Sequence, residues 1–125
     1  MIEVTSDDSR YQTRFTNGAH SAIADTTRDK GGSESGFRPH DLLEAALASC
    51  VNITIRMAAD QHGLALSDVT TRVRLDRSKP EETIFECEVE LLGELSEEDR
   101  ARLLDVAEKC PVRHTLSKRI GFRAR

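Results

Sequence analysis

The stretch Pro39-His40-Asp41-Leu42-Leu43-Glu44-Ala45-Ala46-Leu47-Ala48-Ser49-Cys50-Val51-Asn52-Ile53-Thr54-Ile55-Arg56-Met57-Ala58-Ala59-Asp60-Gln61 decides the fold of this chain. Proline is tolerated in a first helical turn, and Gly63 follows as a stop, so the run predicts one helix over 39–61. Its leucines, alanines, valine, isoleucines and methionine cover nearly the whole circumference. A helix apolar all round is buried on all sides. A chain of 125 residues has few other elements to cover it. A second subunit is therefore the expected supplier, and the sequence predicts a homodimer with this helix central.

Working outward, Tyr11 to Thr16 and Ala19 to Asp25 read as strands around Asn17-Gly18, a dipeptide suited to a two-residue hairpin. Residues 26 to 39 hold Gly31, Gly32 and Gly36 among serines and charges, which marks a loop long enough for a functional role. After the helix, Val69–Asp76 and Thr83–Leu92 alternate apolar and polar residues as half-exposed strands do. Ser96 with Asp99 three residues on is an approximate capping box for a second helix, whose buried stripe is Leu103, Leu104, Ala107 and Cys110. Pro111 can open a further turn, and Ile120, Phe122 and Ala124 alternate as a terminal strand. The expectation is a single α+β domain over 1–125, with an antiparallel sheet and a long central buried helix.

Composition narrows the function. With four Phe, one Tyr and no Trp, base stacking has little to work with, and a net charge of -4 disfavours a nucleic-acid surface. The opening Met1 to Asp8 is acidic and lacks the apolar core of a signal peptide. The apolar stretch 42–59 carries Glu44, Asn52 and Arg56, which argues against a membrane span. The expected compartment is the cytoplasm, where three cysteines point to reactivity or packing rather than a disulfide scaffold.

Each cysteine has a bland reading. Cys87 lies between Phe85 and Val89 on the apolar side of its strand, where a free thiol is inert packing. Cys50, mid-helix, would need a nearby cation to be a reactive thiolate. Arg10 and Arg14 in the first hairpin and Arg28 and Arg38 in the loop are the candidates. Cys110 is either the last residue of the second helix, facing its negative end, or the N-cap of a turn opened by Pro111, facing the positive end. No metal site is read: Cys110 and His114 form one loose pair without a matching second pair, and His20 and His62 fit no pattern.

These motifs resemble the OsmC/Ohr family of thiol-dependent peroxide-reducing proteins. The matching residues are Gly31-Gly32, then Gly36-x-x-Pro39-x-Asp41-Leu42-Leu43-x-Ala45-Ala46-Leu47-Ala48-Ser49-Cys50, the tract Gly93 to Arg100, and Cys110-Pro111-Val112-x-x-Thr115-Leu116. The similarity is greatest to the short, less-characterised OsmC-like branch. The resemblance implies an intertwined dimer with its active sites at the subunit interface. It implies that Cys50 attacks an organic hydroperoxide and becomes a sulfenic acid, that Cys110 resolves this to a disulfide, and that an external dithiol or lipoyl-bearing protein reduces it. No metal, flavin or haem is implied. Where the family's hydroperoxide branch carries a glutamate ten residues before the first cysteine to hold an arginine over the thiolate, this chain has His40. Helical spacing sets Asp41 about 180° from Cys50, so Glu44 is the better substitute, with Arg10 and then Arg14 as the arginine. The His40 departure and the Ala/Leu-rich surroundings also admit a non-enzymatic dimer that senses redox state or binds an apolar ligand.

Overall fold

The computed structural model describes residues 1–125, and the chain divides into two compact units, Met1–Leu43 and Glu44–Arg125. The first holds three antiparallel strands in sequential order: β1 (Glu3–Ser6), β2 (Thr13–Thr16) and β3 (Ser21–Ala24). Val4 faces Phe15, and Arg14 faces Ile23. The β2–β3 connection contains Asn17-Gly18 but is longer than the two-residue turn expected there: Thr16 pairs with Ser21, Gly18 takes φ 96°, and the Asn17 side-chain oxygen accepts from the Ala19 and His20 amides.

Asp25, just past β3, organises the glycine-rich loop. One carboxylate oxygen accepts from the Thr26 amide, and the other accepts from the Ser33 and Ser35 amides and the Ser35 hydroxyl. The Ser35 hydroxyl leads these bonds in holding the Asp25 carboxyl below its ordinary range. Gly36 is required here, because a Cβ on it would sit 2.3 Å from the Ile23 carbonyl oxygen. The loop ends with Phe37 bridged to Ala24 and enters the long helix α1 (Pro39–Gln61). Asp41 ties that entry by accepting from the Arg38 amide at 2.9 Å and from its guanidinium at 2.8 Å.

The second unit contains most of α1, the long hairpin β4 (Leu66–Lys79) and β5 (Glu82–Gly93), and the helices α2 (Glu97–Ala107) and α3 (Pro111–Leu116). One face of α1 (Leu47, Val51, Ile55, Ala58, Ala59) packs into a core with Leu66, Val69, Leu91, Leu103, Ala107 and Cys110. The Ser96 hydroxyl caps α2 by accepting from the Asp99 amide, as the capping box predicts. Arg100 then pins α2 to the end of β5 by donating to the Leu91 and Gly93 carbonyls.

α1 is long and apolar enough to cross a membrane by length and composition. Its polar side chains nevertheless serve the hairpin. Glu44 accepts from the Leu75 amide at 2.8 Å, Asn52 donates to the Val69 carbonyl at 2.8 Å, and Arg56 donates to the Leu66 carbonyl at 3.0 Å. α1 is thus built as a core helix, with its polar groups spent on a neighbouring strand rather than set against lipid.

Three expectations need correction. The helix is apolar all round, but the chain covers only one face of it. Ile53 and Met57 on the other face are more than half exposed. A strand absent from the sequence reading, β1, adds to the first hairpin. The alternating segment at 120–124 forms no strand, because no strand edge of the same chain pairs with it.

Candidate thiol site

The motif that begins at Cys110 resolves its own ambiguity. α2 ends at Ala107, and Cys110 adopts extended φ and ψ of -63° and 144° as the N-cap of α3, with Pro111 at the first helical position. Its sulfur accepts from the Arg113 amide at 3.3 Å, and its carbonyl accepts from the His114 amide at 3.0 Å. The side chain also lies fully buried in the core beside Leu103 and Ala107. The capping and packing readings are therefore both true of one residue.

Cys50, half-buried on α1, packs against the same core, near enough to Cys110 for the two thiols to interact. The fold thus brings together two sulfurs sixty positions apart in sequence. Their surroundings are unequal. Burial pushes the Cys110 thiol up from its ordinary value, the Arg113 amide opposes that, and Cys50 adds to it. Both the burial and the neighbouring Cys50 thiol favour the neutral form of Cys110. Of the two, Cys50 is the more accessible residue and Cys110 the buried one. A nucleophilic sulfur backed by a second thiol is the arrangement that captures an oxidant and then closes a disulfide.

The raised value at Cys110 makes stability depend on pH. A thiol whose folded pKa lies above its unfolded value, about 8.5, stabilises the fold fully below that value. The contribution is lost as pH climbs through the folded pKa. Reduced protein should thus lose denaturant resistance as pH rises above that unfolded value, and Cys110→Ala should flatten that loss. Equal losses in both proteins would show that Cys110 is not the responsible group.

The other residues singled out from sequence are placed as follows. The Arg10 guanidinium lies over the Tyr11 ring, 5.5 Å from its centre, and Arg14 pairs with Asp7 at 3.6 Å; both belong to the first unit. Arg28 pairs with Glu34, and Arg38 with Asp41. His40 is exposed in the first turn of α1. Glu44 is occupied by the Leu75 amide, so its carboxylate already has a structural task.

Sequence reasoning passed over Arg113. Its amide holds the Cys110 sulfur while its side chain pairs with Glu108. The signal was present in the spacing, since the residue three after an N-cap is the one whose amide the cap side chain meets. Cys87 differs from expectation in exposure. It sits on the apolar side of β5 opposite Val73, as read, but it is exposed. The cause is a gap over the sheet, a cavity of about 240 Å³ whose lining includes Leu47, Val51, Val89, Leu104 and Arg113. Its thiol is still held up from the ordinary value, chiefly by desolvation, with Arg113 opposing.

Comparison with known proteins bears on the fold and the family. The fold is shared with a Psychrobacter arcticus 273-4 protein provisionally described as an osmotic stress induced and detoxification response protein (TM-score 0.76, 23% identity, covering 91% of this chain and 85% of that one). It is also shared with an OsmC like protein from Mycoplasma pneumoniae (TM-score 0.78, 19% identity, 93% and 85%). A third is a Legionella pneumophila organic hydroperoxide resistance protein OsmC (TM-score 0.65, 22% identity, 94% and 88%). No curated protein sequence matches. The family model described as OsmC-like protein matches residues 31–124. That span takes in the glycine loop, α1 with Cys50, the hairpin, and α3 with its Cys110 cap, and so the chain belongs to the OsmC-like family of the OsmC/Ohr proteins.

Proposed function

We propose that this protein is a cytoplasmic, homodimeric thiol peroxidase that reduces organic hydroperoxides. The observation that supports it best is the Cys50–Cys110 pair, in which a half-buried cysteine and a fully buried one pack in the same core close enough for their thiols to interact. In the proposed cycle the Cys50 thiolate attacks the O–O bond of ROOH. One oxygen passes to sulfur, and the leaving alkoxide takes a proton to give ROH. Cys110 then condenses with the Cys50 sulfenic acid, forming the S–S bond and releasing water. A dithiol donor, free or carried as a lipoyl group, reduces the disulfide and leaves as its own cyclic disulfide. None of these steps calls for a metal or an organic cofactor.

By the resemblance, Arg10 or Arg14 would supply the charge that favours the Cys50 thiolate, with His40 or Glu44 as its orienting neighbour; both arginines are exposed. The uncovered Ile53 and Met57 on α1 support the dimer, because exposed apolar side chains on a core helix favour a second apolar surface.

The cavity beside Cys87, with its apolar lining, favours a second reading: a dimer that binds an apolar ligand or reports redox state without turnover. One equivalent of cumene hydroperoxide followed by a sulfenic-acid trap separates the two. Peroxidase chemistry labels Cys50 selectively in the Cys110→Ser variant, where the sulfenic acid cannot be resolved. A ligand binder without thiol chemistry gives no selective label at Cys50, and that result would reject the peroxidase.

A further inference from the structure

We propose that Arg113 is a positioning residue for the resolving thiol: paired with Glu108 across the turn that carries Cys110, its side chain holds Cys110 toward Cys50 and speeds closure of the disulfide between them. That role rests on the proposed function, in which Cys110 is the resolving thiol.

The Cys110 turn has few other restraints. α2 stops at Ala107 with Glu108 as its C-cap, and α3 starts at Pro111, so Glu108, Lys109 and Cys110 alone join the two helices. α3 is six residues long and none of them is buried. A helix that short is not stable by itself, and its Val112 packs against the core from a half-buried position. The Cys110 sulfur must nevertheless meet one particular atom, the sulfur of Cys50. Something beyond packing has to fix the turn.

Arg113 ties it twice. Its amide donates to the Cys110 sulfur at 3.3 Å, and its guanidinium reaches back over the turn to the Glu108 carboxylate. Together the two contacts close a ring of chain that includes Cys110. Both ends of that ring are anchored. The Glu108 amide donates to the Asp105 and Val106 carbonyls at the end of α2. The Arg113 carbonyl accepts from the Ser117 amide at 2.9 Å and from its hydroxyl at 2.7 Å.

A guanidinium near a thiol can also act by charge. Burial, the Arg113 amide, Cys50 and the Val112 amide govern the Cys110 thiol. The guanidinium bears instead on Cys87, where it opposes desolvation. On Cys110, then, the Arg113 side chain acts through the carboxylate it grips. Both side chains of the pair are about half exposed, so the tie is modest and is screened by salt.

Closure kinetics of the whole protein, begun in two ways, test this. One equivalent of cumene hydroperoxide gives the Cys50 sulfenic acid, which Cys110 converts to the disulfide with release of water. Oxidised glutathione gives a mixed disulfide at Cys50. The Cys110 thiolate then attacks the Cys50 sulfur, the bond to glutathione breaks, and reduced glutathione leaves. Arg113→Gln and Glu108→Gln should each slow closure from both starts by roughly threefold, with the first oxidation of Cys50 unchanged. Exchanging the charges in Glu108→Arg/Arg113→Glu should recover most of the rate, which a merely structural loss would not do. Salt at about 1 M should slow the unmodified protein toward the rate of Arg113→Gln and leave that variant unaffected. Closure at the unmodified rate in Arg113→Gln would overturn the role, and so would a charge exchange that fails to restore it. Closure from the glutathione start alone, slowed in Arg113→Gln, would reject the peroxidase and uphold the role of Arg113. No closure from either start would reject both.

Discussion

Serine at Cys50 should abolish catalytic turnover of cumene or tert-butyl hydroperoxide with a dithiol donor, by roughly 10³-fold or more. A hydroxyl at this position is not ionised near neutral pH and cannot accept oxygen as sulfur does. Serine at Cys110 should have a different signature. The sulfur that meets the oxidant is intact, so one equivalent of peroxide is still consumed rapidly. Steady-state turnover with the dithiol then falls, because the Cys50 sulfenic acid must wait for an external thiol instead of the buried partner that now contacts it. Cys87→Ser serves as the control and should leave turnover unchanged, because Cys87 lines a separate cavity that neither Cys50 nor Cys110 borders. Stopped-flow peroxide consumption, read beside steady-state rates for the three variants, measures all of this. Full turnover in Cys50→Ser would remove Cys50 from the reaction, and a lost first equivalent in Cys110→Ser would deny the division of labour between the thiols.

The fold and the cysteine pair could be read only in part from the amino acids. α1 was legible to the residue, because Pro39 opens it and Gly63 terminates it within an unbroken apolar run. The long hairpin was legible for a different reason: its alternation is strict where one face is buried, and its ends ran longer than the apolar pattern because charged residues such as Arg77 and Lys79 continue the ladder without adding to the core. β1 escaped notice because every residue of Glu3–Ser6 is exposed, so no periodicity marks it and only its pairing with β2 makes it a strand. The segment 120–124 shows the converse, a strand pattern without a pairing edge in its own chain. At the site, the family resemblance singled out both cysteines, but no spacing could say that Cys110 buries its sulfur while capping a helix. That outcome depends on where α2 stops, three residues before Cys110, and the stop is set by the turn around Glu108 and Lys109.

The packing beneath Cys110 implies a second large effect. Leu103 is fully buried on α2, one turn before Ala107 and two before Cys110, within the core that also receives Val51 and Ile55 of α1. Truncating it to alanine removes three carbon atoms from a site with no solvent to refill it. A loss of about 3 kcal/mol is expected for such a cavity, which for a domain of this size corresponds to a fall in Tm on the order of 10 °C. The functional consequence follows from position. α2 carries the Cys110 turn at its end, and a loosened α2 lets the buried thiol drift from Cys50. In Leu103→Ala the rate of disulfide closure after one equivalent of peroxide should therefore fall, while the rate of peroxide consumption by Cys50 changes little. Leu103→Met fills most of the volume and should recover both stability and closure. Thermal melts together with rapid-quench counting of free thiols separate these effects. If Leu103→Ala lost stability but closed its disulfide at the unmodified rate, the core under α2 would support the fold without positioning the resolving sulfur. Equal slowing of peroxide consumption and closure would mean instead that the mutation disturbs Cys50 itself, through α1.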